Sequence, residues 1–387
     1  MTTVELSAEL EQQRREIVAL AREFAAREIA PHAEEWDQAR RYPTELLRHL
    51  GELGFLGLVV PEAYDGLGLD PLTYVMVLEE IAAADASVSI ALGVHNSLGC
   101  TLLMEHGTED QKDRWLRPMA RGEMLAAFAL SEADAGSDAS ALRAEARRDG
   151  DGWVLSGTKS WVTSGDIADV TFVMARTDTP ETRSGSRGIS AFVVPAATPG
   201  VSHGKAEDKM GLRASRTTSL ILDDARLPLE HLLGEQGGGL RLALTALNSG
   251  RLGVGAQAVG IARAALEAAV RYAGERRQFD QPIAQFQGVQ FKLADMATRV
   301  AAARALVHDG ARARMRGEPF ATAASMAKLF ASETAMWVTT QAVQVFGGYG
   351  YMRDYPVERL FRDAKVTEIY EGTSEVQRIL IGRSLHT

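Results

Sequence analysis

Apolar positions along this chain repeat with two different periods, and the switches between them divide it into three parts. Over residues 10–30 apolar and charged side chains recur at helical spacing, up to Pro31, which predicts a half-buried helix. Thr44 opens a second helical run over 44–50, and 73–84 (TYVMVLEEIAAA) is a third. Thr108-Glu109-Asp110-Gln111 reads as an N-cap with an acidic first turn, and the glycine-rich stretch 66–68 as a loop. From about residue 124 the character changes. Short β-type runs at 125–130, 152–156, 170–175, 190–194 and 218–222 lie between clusters of Gly, Asp, Pro and Ser. That spacing suits a small β-barrel or sandwich, and no strand–turn–helix unit of a doubly wound sheet occurs among them.

The helical period then returns in long runs, 240–276, 286–316 and 321–346, with Gly317-Glu318-Pro319 breaking the last two. Shorter runs follow at 357–364 and 375–384. Long helices on short connections pack as antiparallel bundles. The expectation is an α+β chain in three domains: N-terminal helical over 1–123, a middle β-barrel or sandwich over 124–233, and a C-terminal four-helix bundle over 234–387.

A length of 387 residues allows two or three packed units. Net charge is −9 with both signs mixed along the chain, which argues against a nucleic-acid partner, since phosphate backbones need a basic stripe. An anionic substrate would need basic residues gathered locally. The single cysteine, Cys100, stands in an apolar stretch; it excludes an intrachain disulfide and reads as a small buried hydrophobe. No apolar run approaches bilayer length, and the polar start does not read as a signal peptide. A reducing, cytoplasmic setting without integral membrane association is expected.

Several chemistries drop out. The histidines are scattered without His-x-x-x-His or paired carboxylates, so no metal site is expected. Residues 184–188 (SGSRG) lack the spacing of a hydrolase elbow. P-loop and Gly-x-Gly-x-x-Gly patterns after a strand are missing, which disfavours NAD in a doubly wound domain. Four stretches remain. Residues 129–138 (ALSEADAGSD) form a strand end and a polar loop able to offer N–H groups and hydroxyls to a ligand edge. Residues 153–165 place Trp161 and Thr163 on one side of an alternating segment, a flat apolar wall beside a hydroxyl, within what otherwise reads as a hairpin-like surface loop. Residues 344–351 (QVFGGYGY) end a long helix in glycines, either a plain helix stop or a close approach to an extended ligand. In 369–375 (IYEGTSE) Glu371 precedes Gly372, with Thr373 and Ser374 placed to cap the next helix. A loop glutamate is ordinarily just solvated.

Taken together, the four stretches resemble the acyl-CoA dehydrogenase family, and the likeness runs through nearly the whole chain. Residues 129–138 are similar to the family's first motif and 344–363 to its second; Lys209-Met-Gly-Leu-Arg213, Arg251 and Glu275-Arg-Arg-Gln-Phe279 fall in the family's order. The family fold has helical, β and helical domains, as the zoning predicts. The resemblance implies a homotetramer with FAD at a subunit boundary and electron-transferring flavoprotein as the acceptor. It puts Leu130, Ser131, Trp161 and Thr163 at the flavin, with Thr373 and Glu375 completing that site. Arg276, Phe279, Gln287, Gln344 and Gly348 would hold the adenosine and pyrophosphate of a neighbouring subunit's FAD. Ser137, Ser186, Asn248, Arg251 and Gly372 fall at the acyl-CoA site, and Glu371 at the base that takes the α-proton while a β-hydride goes to the flavin.

Some family members carry the base on the long helix just before the conserved arginine. Here that neighbour is Gly250, so Glu371 and a short- or medium-chain, straight or methyl-branched acyl-CoA are expected. Four positions depart from the family pattern: Ala133, Arg216, Asn248 and Asp280. A non-catalytic flavin-binding homologue and an oxidase or monooxygenase on the same fold are the rival readings.

Overall fold

The structure is a computed structural model that describes residues 3–179 and 185–385. Ser184 of the stretch 184–188 lies outside them. The first helix, Thr3–Phe24, starts earlier than its apolar period suggests and runs on through a π-turn, Ala25–Ile29. Helix Pro71–Ala84 is started by Asp70, whose carboxylate accepts from the N–H groups of Leu72 and Thr73 at 2.9 and 3.0 Å, with proline at the first helical position. The expected cap at Thr108 is present as a capping box. The Gln111 N–H donates to the Thr108 hydroxyl, and the Thr108 N–H donates back to the Gln111 side chain.

One long helical stretch was not legible from periodicity. Ala86–Gly93, a π-turn Val94–Cys100 and Thr101–His106 run as one helix, apolar on nearly all sides. By length and hydropathy Ala86–His106 could cross a membrane, contrary to the expectation that no run approaches that length. Some 94% of that window is buried inside the protein, so this is a core helix. Cys100 is buried within it.

The middle part is one bent sheet. Its strands are β1 (Ala126–Ala129), β2 (Glu145–Asp149), β3 (Gly152–Thr163), β4 (Val170–Arg176), β5 (Ile189–Pro195), β6 (Val201–His203), β7 (Thr217–Pro228) and β8 (Leu232–Leu233). The order is β6-β7-β3-β2-β4-β5-β8, with β1 added parallel to β4. Only the pair Glu145–Arg176 joins β2 to β4. The sheet bends at this seam, and its halves close on a shared core that includes Trp153, Leu155, Phe192, Val194 and Leu222. Trp153 meets Phe192 edge-on at 5.3 Å.

Residues 153–165 correct the sequence reading. They are not a hairpin-like loop: β3 continues to Thr163, and two register shifts against β7 absorb the Ser, Gly and Trp residues. Strand β2 (EARRD) was missed because its exposed face is charged.

The helices Gly239–Glu275, Gln287–Met315 and Ala321–Phe346 pack with the shorter Pro356–Val366 and Ser374–Ser384. Ion pairs tie this part to the others. Arg362 meets Asp37 at 2.7 Å and Arg359 meets Asp85 at 3.2 Å. Asp363 accepts from the Leu212 N–H at 2.6 Å, and burial, against the pull of Arg359, pushes its carboxyl up to about 7.

Candidate active site

Glu371 sits in the link between Pro356–Val366 and Ser374–Ser384, with its backbone in the left-handed region (φ +54°) and Gly372 beyond it at +99°. Such a conformation costs a non-glycine residue about 1 kcal/mol and persists where the surroundings enforce it. The residue as a whole is half-buried, yet its Oε2 is closed off from solvent and has no hydrogen-bond partner among the described residues. Burial pushes this carboxyl up to about 7, against the opposing pull of Lys328 and Arg251. The loop glutamate is therefore not a solvated one.

The carboxyl rests on Gly250 of the long helix. A Cβ built on Gly250 would overlap the Glu371 carboxylate. The next residue, Arg251, is buried, and its Nη1 donates to Asn248 Oδ1 at 2.7 Å. Asn248 and Arg251 line a cavity of about 700 Å³ together with Ser186, Arg187, Arg241 and Ser325. A cavity of that size takes a large organic ligand, and three arginines in it offset the acidic surface locally. Ser137 lies exposed in the loop after β1 and does not line this cavity.

A second group gathers at β3. The fully buried Lys159 donates to the Glu132 carboxylate at 2.7 Å and to the Leu130 carbonyl at 3.1 Å. Glu132 accepts in turn from the N–H groups of Arg143 and Ala144. The Ser160 N–H donates to the Ser131 carbonyl at 2.9 Å. Leu130 and Ser131 are thus fastened beside Trp161 and Thr163. Trp161, at φ +55° in the second register shift, is 59% exposed. Arg216, one of the four departures, forms an ion pair with Asp166 at the end of the same strand.

The third group is exposed. Arg276 lies over the Tyr349 ring at 5.5 Å, next to Gly348 and one turn from Gln344. Phe279, 88% exposed, and Asp280 are the two central residues of a tight hairpin joining Arg277–Gln278 to Gln281–Pro282. Both have positive φ. Aspartate tolerates that conformation, which accounts for Asp280 where the family usually has glycine. Gln287 opens the next helix, and Thr373 caps the last one, accepting from the Val376 N–H at 3.3 Å. Glu375 is exposed in that helix's first turn.

The comparisons with known proteins agree along the whole length. Models described as the N-terminal, middle and C-terminal domains of acyl-CoA dehydrogenase match residues 11–123, 127–225 and 237–386. The chain belongs to the acyl-CoA dehydrogenase family. It is 45% identical over 383 residues to the mitochondrial short-chain specific acyl-CoA dehydrogenase of Mus musculus, covering 99% of this chain and 92% of that one. Butyryl-CoA dehydrogenase from Megasphaera elsdenii superposes with a TM-score of 0.94 at 44% identity, covering 97% and 98% of the two chains. A chain solved in work on the electron transferring flavoprotein of Acidaminococcus fermentans gives 0.94 at 47% identity, covering 96% and 97%.

Acyl-CoA dehydrogenases work with FAD, and the groups described here fit it. A bare indole beside the Ser131 and Thr163 hydroxyls and fixed backbone polar groups suits a flat ring system with polar edges. At the exposed helix ends a Cβ built on Gly347 or Gly348 would meet no atom of the described residues within 4 Å beyond the neighbouring backbone, so these positions are open to close approach.

Sequence reasoning missed Lys328, Gln257 and Tyr74. Lys328 is the sole charged residue between 321 and 332 of an Ala-rich helix, and that isolation was the available signal.

Proposed function

We propose that this chain dehydrogenates a short, straight or methyl-branched acyl-CoA to the trans-2-enoyl-CoA, with Glu371 as the base and electron-transferring flavoprotein as the acceptor. One observation carries the reading: an isolated carboxyl, poised near neutrality by burial, fills the space that Gly250 leaves beside Arg251. The α-proton of a thioester is weakly acidic, and a base with a raised pKa inside a sealed site matches it better than a solvated carboxylate. Among the described residues nothing accepts from the Glu371 N–H, which leaves that donor for the thioester oxygen, where charge develops. Bound FAD supplies the acceptor for the hydride leaving Cβ. Leu130, Ser131, Trp161 and Thr163 would hold its ring, with Thr373 and Glu375 completing the site. Arg276, Phe279, Gln287, Gln344 and Gly348 would hold the adenosine end of a neighbouring subunit's FAD, and Ser137 would meet the substrate at the cleft mouth.

An acyl chain lying along the long helix beside Glu371 would be a short one. Gly250, Gly253 and Gln257 lie on one face of the long helix. A Cβ on Gly253 would meet Leu78 at 3.4 Å and the hydroxyls of Ser97 and Tyr74 at 3.9 Å. Gln257 is locked across the end, accepting from the Tyr370 hydroxyl and donating to the Ala86 carbonyl. About 10 Å of helix separates Gly250 from Gln257, which, less the width of the lining atoms, leaves room for a few methylenes.

The test is an anaerobic titration with butyryl-, isobutyryl- and octanoyl-CoA, following flavin absorbance. Butyryl-CoA bleaches the protein fastest, and Glu371→Gln keeps its flavin while losing about 1,000-fold or more in rate. A variant that turns over at near wild-type rate would rule out Glu371, and a yellow protein that no acyl-CoA bleaches would rule out the reaction.

A further inference from the structure

A lysine in the second turn of a helix ordinarily points to solvent, with its ammonium hydrated. Lys328 of Ala321–Phe346 does the opposite: its side chain is 0% exposed. Its Nζ donates to the Gly372 carbonyl at 2.8 Å. Gln377, also fully buried, donates from the last helix to the same carbonyl at 2.8 Å and to the Glu371 carbonyl at 3.4 Å. Two helices therefore grip the peptide that follows the base, at the point where the chain holds two consecutive positive φ angles.

The charges facing Lys328 come from three elements. Arg251 lies on the long helix, Glu368 and Glu371 in the link before the last helix, and Glu375 on that helix. No carboxylate of the described residues stands within 4.0 Å of Nζ. The ammonium thus has a carbonyl and an amide-held loop for company, and no ion-pair partner. A buried cation without a salt bridge is expensive, and burial pulls Lys328 down to about 8 against the attraction of Glu371. A neutral Met or Leu would pack there at lower cost.

We infer that Lys328 is a positioning residue of the base, tying the Glu371–Gly372 peptide to its helix and facing the Glu371 carboxyl with a buried positive charge. The inference rests on the reading of Glu371 as the base. Its consequence is electrostatic as well as geometric. Lys328 and Arg251 are the two cations that act on Glu371, so removing one disfavours the ionised form, and the carboxylate becomes available only at higher pH.

The experiment compares wild type with Lys328→Met, Lys328→Gln and Lys328→Arg as purified flavin-loaded proteins. Flavin content, kcat and KM for butyryl-CoA are measured from pH 5.5 to 9. A second readout is α-deuterium incorporation into an acyl-CoA whose β-carbon is replaced by sulfur, which lacks the hydrogen for hydride transfer and reports the proton step alone. Lys328→Met is expected to keep its flavin and to hold KM within about twofold. Its kcat and exchange rate at pH 7 fall by about 10-fold or more, and the acid limb moves to higher pH by about one unit. Lys328→Arg restores the limb, because it returns the charge. Lys328→Gln keeps a donor for the carbonyl without the charge, so its limb moves as in the Met variant, and it serves in place of the Met variant should that not fold. An acid limb unmoved in the Met and Gln variants, with rate lost equally at every pH, overturns the inference. Wild type that fails to exchange the α-proton would instead remove the reading of Glu371, a separately recognisable result.

Discussion

Glu371 shows how one side chain changes character with its surroundings. In an open loop its carboxyl would titrate in the ordinary carboxylate range. Packed over Gly250 it is pushed up to about 7. The folded state then holds a proton that the unfolded chain releases near the ordinary carboxylate value of 4.5. Between those values the folded form binds more protons, so this residue's contribution to stability is present at low pH and is lost as pH rises toward 7. At about 1.4 kcal/mol per tenfold change in proton affinity, the loss is on the order of 3 kcal/mol. Glu371→Gln is therefore expected to gain on wild type in melting temperature as pH rises from 5 to 8, by a few degrees. Parallel pH profiles for the two proteins would show that the carboxyl is not raised. Such a gain with loss of turnover is the usual trade between stability and a strained catalytic group.

At the scale of elements, the helix Ala86–His106 depends on one residue at its start. Asp85 accepts from the N–H groups of Ser87 and Val88 at 2.7 and 3.0 Å and pairs with Arg359 at 3.2 Å. One carboxylate therefore caps a core helix and neutralises a cation from the C-terminal part. Asp85→Ala removes the cap, worth about 1 kcal/mol, and leaves Arg359 without this partner in a buried setting, for a combined loss on the order of 3 kcal/mol. Urea unfolding measures it; a loss below about 1 kcal/mol would mean that Asp363 takes over the pairing. The cap was legible in principle, since Asp85 precedes a long apolar run. The run itself was not, because a helix buried on all sides has no polar face to give it a period. Strand β3 was misread for a related reason. Its bulges put Trp161 and Gly157 into positive φ, and residues suited to such positions are the ones that mark turns in a sequence.

For the molecule as a whole, one of the places where all three parts come together is a cluster of Asp37, Asp85, Arg359, Arg362, Asp363 and the Leu212 N–H. Exposed aromatic rings lie elsewhere, among them Phe279 at 88%, Tyr351 at 85% and Phe291 at 60%. Large bare rings near the ends of long helices are of the kind that suits contact with another protein surface, and the family likeness implies a tetramer. Sedimentation of the flavin-loaded protein is expected to give four times the chain mass of 41.8 kDa. A monomer that retains flavin at micromolar concentration would contradict both the tetramer and an adenosine site shared between subunits.

Much of this was already written in the linear chain. The change of apolar period from 3.6 to 2 and back dictated helices, then a sheet, then long helices, because burial of one face is a local property of spacing. The ordered motifs pointed to the family, and it was that resemblance, not the loop's own residues, that implied a base at Glu371. What only the tertiary structure decided is how those residues are charged and confined. Gly250 and Glu371 are 121 positions apart, yet one leaves the space that the other fills. Lys328 looks like an interruption in an alanine-rich helix until the last helix brings the Gly372 carbonyl over it. Burial and proximity set proton affinities, and both are properties of packing between distant segments that no local pattern encodes.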